Sequence, residues 1–266
     1  MNPYRSRAAP DEPQLLICDG LDPTGAAGLI ADARVAQHHG CRATGIATTL
    51  LVQTTTALLS GAVVSPSTIR LQLESLLPDA TVHAVKIGMV GSAAIAQTIA
   101  AMLALTDAPV VWDPILYPTR VDVPLVDTSF GEALAALGPR TTLITPNIAE
   151  LAFLSRRRVT DLDSAMAAAA SLAASLRTTV LVKGGHLAGG DATDVLVQAE
   201  GRETFTAPRI ANGQHVHGVG GALATAIAAQ LARGLDLGAA VRAAKAFVTE
   251  RLAKPVLPGR GAPAIV

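Results

Sequence analysis

The chain of 266 residues balances 21 basic against 21 acidic side chains, so no basic, nucleic-acid-binding surface is expected. Half of it is hydrophobic and 16 % is charged, which suits one α/β domain of ordinary size. No predicted helix reaches the ~20 apolar residues of a membrane span, so the chain reads as cytoplasmic, with Cys18 and Cys41 as reduced, buried thiols lacking metal-type spacing.

Residues 1–13 are polar, contain proline and lack the apolar core of a signal peptide, which predicts a disordered lead-in before a single domain over 14–266. Short apolar or β-branched runs follow at 15–18, 43–51, 84–87, 110–112, 142–144 and 180–182. Amphipathic, helix-length stretches separate them at 26–38, 67–77, 93–105, 130–137, 148–154 and 163–176. Strands joined by helical crossovers predict a three-layer α/β fold, a mostly parallel sheet with helices on both faces. Residues 194–198 and 203–206, joined through Ala199-Glu200-Gly201-Arg202, read as a hairpin at the sheet edge. Two helices, at 220–232 and 237–252, close the chain.

Ligands of doubly wound sheets bind beyond the carboxyl ends of the strands, and polar residues recur there. Asp19 to Asp22 follow the first predicted strand, Gln53 the second and Lys86 to Met89 the third. Asp113 follows the fourth, Thr145 to Asn147 the fifth and Lys183 to His186 the sixth. The small-residue loop Asp22-Pro23-Thr24-Gly25-Ala26-Ala27-Gly28 has neither a P-loop lysine nor dinucleotide glycine spacing. It suits a flat ligand lying against the backbone, or a plain strand–helix turn.

Asn147 with Glu150 three residues on reads as a helix cap, or as a carboxylate orienting hydrated Mg²⁺. Lys183 lies where nucleotide phosphates rest, or snorkels to solvent. His186, His215 and His217 lack ligand spacing and read as loop residues, and His38-His39 as a partner for a helix C-terminus. Gly218-Val219-Gly220-Gly221 runs straight into a helix, so its backbone N–H groups and the helix dipole favour a phosphate. Gly221 offers no acid or thiol to take a proton from an attacking hydroxyl.

Taken in order, these segments resemble the hydroxymethylpyrimidine/phosphomethylpyrimidine kinases of thiamine biosynthesis, in the ribokinase-like superfamily. The likeness runs over about residues 14–252. It rests on the stretch from Gly20 to Asp32, where the family has a similar Gly-x-Asp-Pro/Ser-Ser-Gly-Gly-Ala-Gly-Ile-Gln-Ala-Asp. It continues through Gln53, Val85-Lys86-Ile87-Gly88-Met89-Val90, Trp112-Asp113-Pro114 and Ile144-Thr145-Pro146-Asn147 with Glu150. Val182-Lys183-Gly184-Gly185-His186 and Ala207-Pro208-Arg209 complete it.

The resemblance implies a ribokinase-like fold and phosphorylation of 4-amino-5-hydroxymethyl-2-methylpyrimidine, then of its monophosphate, with ATP and Mg²⁺. It implies that Gln53, helped by Gly20, Asp22 and Ala27, holds the aminopyrimidine while Met89 and Ile115 pack on its ring. Asp113 and Glu150 would serve Mg²⁺, Asn147 and Lys183 the ATP phosphates, and Gly218, Val219, Gly220 and Gly221 the anion hole. It implies a small-molecule substrate and no nucleic-acid or membrane partner. Relatives often dimerise; the loop residues Leu50-Leu51 and Leu58-Leu59 fit a homodimer contact or simple core packing equally.

Departures cluster at the anion hole. The family is similar to His-Gly-Thr-Gly-Cys there, with the Cys as base, whereas this chain reads His217-Gly218-Val219-Gly220-Gly221. His215-Val216 and Thr54-Thr55 replace Asn-Thr pairs, and Pro118-Thr119-Arg120-Val121 replaces Ala-Lys-Ser-Gly. A general base contributes roughly 10²- to 10⁴-fold, yet phosphoryl transfer depends mainly on positioning and charge stabilisation. The sequence therefore leaves two readings, a slow pyrimidine kinase and a non-catalytic relative that senses the pyrimidine or its phosphate.

Overall fold

A computed structural model describes residues 12–116, 130–186 and 190–266. The chain forms β1 (Gln14–Leu21), α1 (Gly28–His38), β2 (Arg42–Gln53), β3 (Leu58–Val63), α2 (Pro66–Asp79), β4 (Ala84–Ile87), α3 (Ala93–Met102) and β5 (Val110–Trp112). It continues with α4 (Phe130–Leu137), β6 (Leu143–Ile144), α5 (Ile148–Ser155), α6 (Leu162–Leu176), β7 (Thr179–Lys183), β8 (Asp191–Gln198), β9 (Gly201–Pro208), α7 (Val219–Ala232) and α8 (Leu237–Leu252). The strands make one sheet of order β3-β2-β1-β4-β5-β6-β7-β8-β9. β2, β1, β4, β5, β6 and β7 run parallel, and β3 and β8–β9 add antiparallel edges.

Alternation along the strands divides the core. Leu16, Cys18, Val85, Ile87 and Trp112 face α2 to α6, whereas Leu15, Ile17, Ala84 and Val111 face α1, α7 and α8. That is the period-two pattern of a sheet covered on both sides. α7 is buried along nearly its whole length from Ala222 to Ala232, and its alanines let it lie close over the central strands.

The hairpin is longer than expected and turns through two residues, since Gln198 pairs with Gly201. The larger difference is β3, a strand where the sequence pattern predicts a loop. Ser60 and Gly61 weaken its strand signal, and the residues from Leu59 to Val63 are exposed. Leu50 and Leu51 consequently belong to β2, and Leu58 and Leu59 to β3. Leu50 and Leu59 are 45 % and 67 % exposed, so they are not packed in the core. His39 is also corrected. Burial, then the charges of His38 and Arg233, push its imidazole down to about 4, so it is neutral and gives the end of α1 no charge.

Candidate active site

The sheet reverses direction of growth at β1, which has β2 on one side and β4 on the other. Such a switch point opens a crevice beyond the strand ends. At this one β1 carries a register shift between Asp19 and Gly20, an irregularity of the kind that re-aims side chains beside sites. Ile17 pairs with Lys86, so the Lys86 side chain emerges on the α1/α7 face, fully buried. Its ammonium is paired with Asp19 of β1 and Asp32 of α1, and Thr225 of α7 donates to Asp32 Oδ1 at 2.8 Å. Burial alone would pull Lys86 down, but the two carboxylates outweigh it and hold the ammonium well above its usual range. The Asp19 carboxylate approaches Gly88 so closely that a Cβ there would meet Oδ2 at 2.0 Å.

A second part of the site is built on α7. Gly218, its N-cap, has φ +81°, and a Cβ there would also lie 2.4 Å from the Ala26 carbonyl; both facts require glycine. The N–H groups of Val219, Gly220 and Gly221 occupy the first turn, where a helix has no internal partner for them. A Cβ on Gly220 would stand 3.2 Å from Lys183 Nζ and 3.5 Å from Asp113 Oδ2. Lys183 Nζ donates to Asp113 Oδ1 at 2.9 Å, and Thr145 Oγ1 donates to the same oxygen at 2.9 Å. The lysine's nearby carboxylates, led by Asp113 and then Glu150, overcome its burial and raise its pKa.

Asn147 and Glu150 make a full capping box on α5, Asn147 Oδ1 accepting the Glu150 N–H at 2.9 Å and Glu150 Oε2 accepting the Asn147 N–H at 2.7 Å. The cap reading is therefore correct, and it also holds Glu150 among the charges. Burial, opposed by Lys183 and assisted by Asp113, pushes its carboxyl up to about 7. Two buried carboxylates that act on each other, Asp113 and Glu150, the former beside Gly220, fit Mg²⁺, which is held by one or two carboxylates plus other oxygen ligands and water. Among the described residues no group of three or more His, Cys, Asp or Glu forms a protein-only metal cage.

The other part of the site gathers residues of β1, β2 and the loop after β1. Asp22 accepts from Thr24 N–H at 2.9 Å and from Gln53 Nε2 at 3.2 Å. Gly20 lies against Met89, a Cβ there meeting the sulfur at 3.3 Å. Ala27 is the extended N-cap of α1, and Gly28 closes over the Gly20 carbonyl. Because Ala26 also abuts Gly218, this loop joins the two parts. Ile115 is half-buried, its N–H donating to the Asp113 carbonyl. The Pro118–Val121 departure lies outside the described residues.

The sequence reading gave no role to Asp19, Asp32, Thr145 or Thr225. One signal was available, since Lys86 stands in an otherwise apolar strand and a lysine there must find buried partners. Residues 22–265 match the family described as phosphomethylpyrimidine kinase. A hydroxymethylpyrimidine/phosphomethylpyrimidine kinase of Streptomyces coelicolor is 37% identical over 237 residues, covering 89% of this chain and 87% of the relative. The crystal structure of phosphomethylpyrimidine kinase from Clostridium difficile 630 has a TM-score of 0.77 and 29% identity, covering 90% of this chain and 98% of that one. The ADP complex of Bacillus subtilis pyridoxal kinase has a TM-score of 0.84 and 26% identity, covering 94% and 96%. With its ribokinase-like sheet and this match across nearly the whole sequence, the chain belongs to the phosphomethylpyrimidine kinase family.

Proposed function

We propose that the protein transfers the γ-phosphoryl group of ATP to the hydroxymethyl group of 4-amino-5-hydroxymethyl-2-methylpyrimidine, and then to the resulting monophosphate. The observation that carries this reading is the Lys183–Asp113 pair set against Gly220 in the first turn of α7, with the Gln53–Asp22 pair at the other end of the same loop. Free N–H groups of Val219, Gly220 and Gly221 stabilise negative charge developing on the transferred group, without reorganisation. Lys183 neutralises phosphate charge, and Asn147 at the start of α5 adds a second contact. Mg²⁺ would sit between Asp113, Glu150 and the ATP phosphates, where it supplies charge neutralisation.

Gln53 recognises the ring. With its Nε2 committed to Asp22, its Oε1 is left as an acceptor for the pyrimidine's exocyclic amine. Gly20 and Ala27 let the flat ring approach the backbone, and Met89 and Ile115 cover its face. Gln53→Ala is expected to raise KM for the pyrimidine about 10- to 100-fold, the loss of a hydrogen bond worth about 1–3 kcal/mol, while kcat stays close to wild type. A large kcat loss at unchanged KM would remove Gln53 from ring binding.

The function is tested by ADP release from ATP and Mg²⁺ with and without the pyrimidine, phosphorus NMR identifying the product. Pyrimidine-dependent mono- and then diphosphate is expected. A raised melting temperature without product would instead make this a binding protein built on a kinase fold. Faster turnover of pyridoxal than of the pyrimidine would move the substrate assignment.

A further inference from the structure

The kinase reading leaves one step without an owner, because residue 221 is a glycine and contributes no proton acceptor. A Cβ at Gly221 would have as its nearest neighbours Asp32 Oδ1 at 3.6 Å and Lys86 Nζ at 3.9 Å. The space beside Gly221 therefore opens onto the buried Lys86 cluster. Within it the carboxylates differ. Asp19 Oδ1 already accepts the N–H groups of Gly20 and Met89, and Oδ2 holds Lys86. Asp32 Oδ2 holds Lys86 as well, but Oδ1 carries one bond, from Thr225, and a carboxylate oxygen has room for a second.

We propose that Asp32 takes the proton of the attacking hydroxyl, through one water standing beside Gly221. This rests on the kinase reading above. The hydroxyl oxygen bonds to the γ-phosphorus as the bond from that phosphorus to the β,γ-bridging oxygen breaks, and the electron pair leaves on ADP. The hydroxyl proton passes to the water, which gives one of its own protons to Asp32 Oδ1. After product leaves, the same water path returns the proton to solvent.

The surroundings suit this exchange. Asp19 on β1 and Lys86 on β4 are the charges facing Asp32, Thr225 and Gly221 face it from α7, and Asp113 just after β5 acts on Lys86. Cys18 stays a thiol, its pKa pushed up to about 12 chiefly by burial. Two carboxylates thus share one ammonium, and the pair has one proton to gain. Burial, opposed by Lys86 and assisted by Asp19, raises Asp32 to about 7, where an acceptor works best near neutral pH.

The test is kcat against pH for the wild type, Asp32→Asn and Gly221→Ala. In the wild type kcat should climb as pH rises through about 7 and then level. Both variants should lose about 10²- to 10⁴-fold from that plateau together with the climb, at unchanged KM for the pyrimidine. Gly221→Ala guards against misfolding. Its methyl group makes ordinary contact with Asp32 and favours the helix over glycine, yet it fills the path. An Asp32→Asn enzyme that keeps the climb and loses less than about tenfold overturns the proposal and assigns the titration elsewhere, Glu150 included. So does Gly221→Ala turning over at the wild-type rate. Wild-type protein releasing no ADP with the pyrimidine overturns the kinase reading and this inference together.

Discussion

Replacing Lys86 by methionine is expected to cost about 3–5 kcal/mol of folding stability, the range for removing one partner of a buried ion pair. Methionine fills a similar volume, so the effect is one of charge. Asp19 and Asp32, at 2 % and 1 % exposure, would keep their hydrogen bonds from Gly20, Met89 and Thr225 but lose the ammonium that compensates both. The Asp32 carboxyl, already raised by burial, would then bind a proton still more tightly folded than unfolded. A folded-state acid pKa raised above its unfolded value of about 4 makes stability fall as pH rises through that window. The wild type already has this sign at Asp32, raised to about 7, and the variant should extend it upward. Urea unfolding at about pH 5 and about pH 8 should therefore show the larger deficit at the higher pH. An equal deficit at both would mean that lost packing, not stranded charge, explains the cost.

How far the sequence reveals such a cluster depends on which physical rule sets each part of it. β4, β5, α4 and α8 match their predicted bounds residue for residue, each being a short apolar strand or a clear helical period that stops at a residue such as Gly88, Asp113 or Gly138. β3 has no such signature, being exposed on an antiparallel edge with Ser60 and Gly61 inside it. The strand-end rule likewise brought out Asp113, Glu150 and Lys183, since each follows or ends a parallel strand or opens the next helix. It could not find Asp32, which stands one turn into α1. Its partner Thr225 is 193 positions away, and their meeting depends on α1 and α7 lying side by side across the sheet. The pairing of Lys86 with Asp19 depends on the β1–β4 register, which no local pattern states. The capping box shows a third situation. Asn147 and Glu150 were legible as a cap from spacing alone, but the upward shift of the Glu150 carboxyl comes from burial, opposed by Lys183 of β7 and assisted by Asp113 just after β5, which no local pattern states.

Lys183→Met should separate catalysis from stability in the opposite way to Lys86→Met. Lys183 is 14 % exposed at its side chain, and Asp113 keeps the Thr145 hydroxyl when the ammonium is gone. The neighbouring Glu150 carboxyl, which burial already raises to about 7, can stay protonated beside it, so the melting temperature should fall less than in Lys86→Met. Turnover should not survive as well. The ammonium is the cation nearest Gly220 at the first turn of α7, and deleting one preorganised group that stabilises transition-state charge costs about 10²- to 10³-fold. KM for ATP should rise too, because the same charge meets the phosphates in the ground state. Asp113→Asn alone should also be severe, and the double variant should be little worse than either single one, since the two residues form one unit through a 2.9 Å bond. Steady-state kinetics on the four proteins decides the matter. Full additivity of the two losses would mean that Lys183 and Asp113 act on different groups, and the phosphate end of the site would then have to be divided between them.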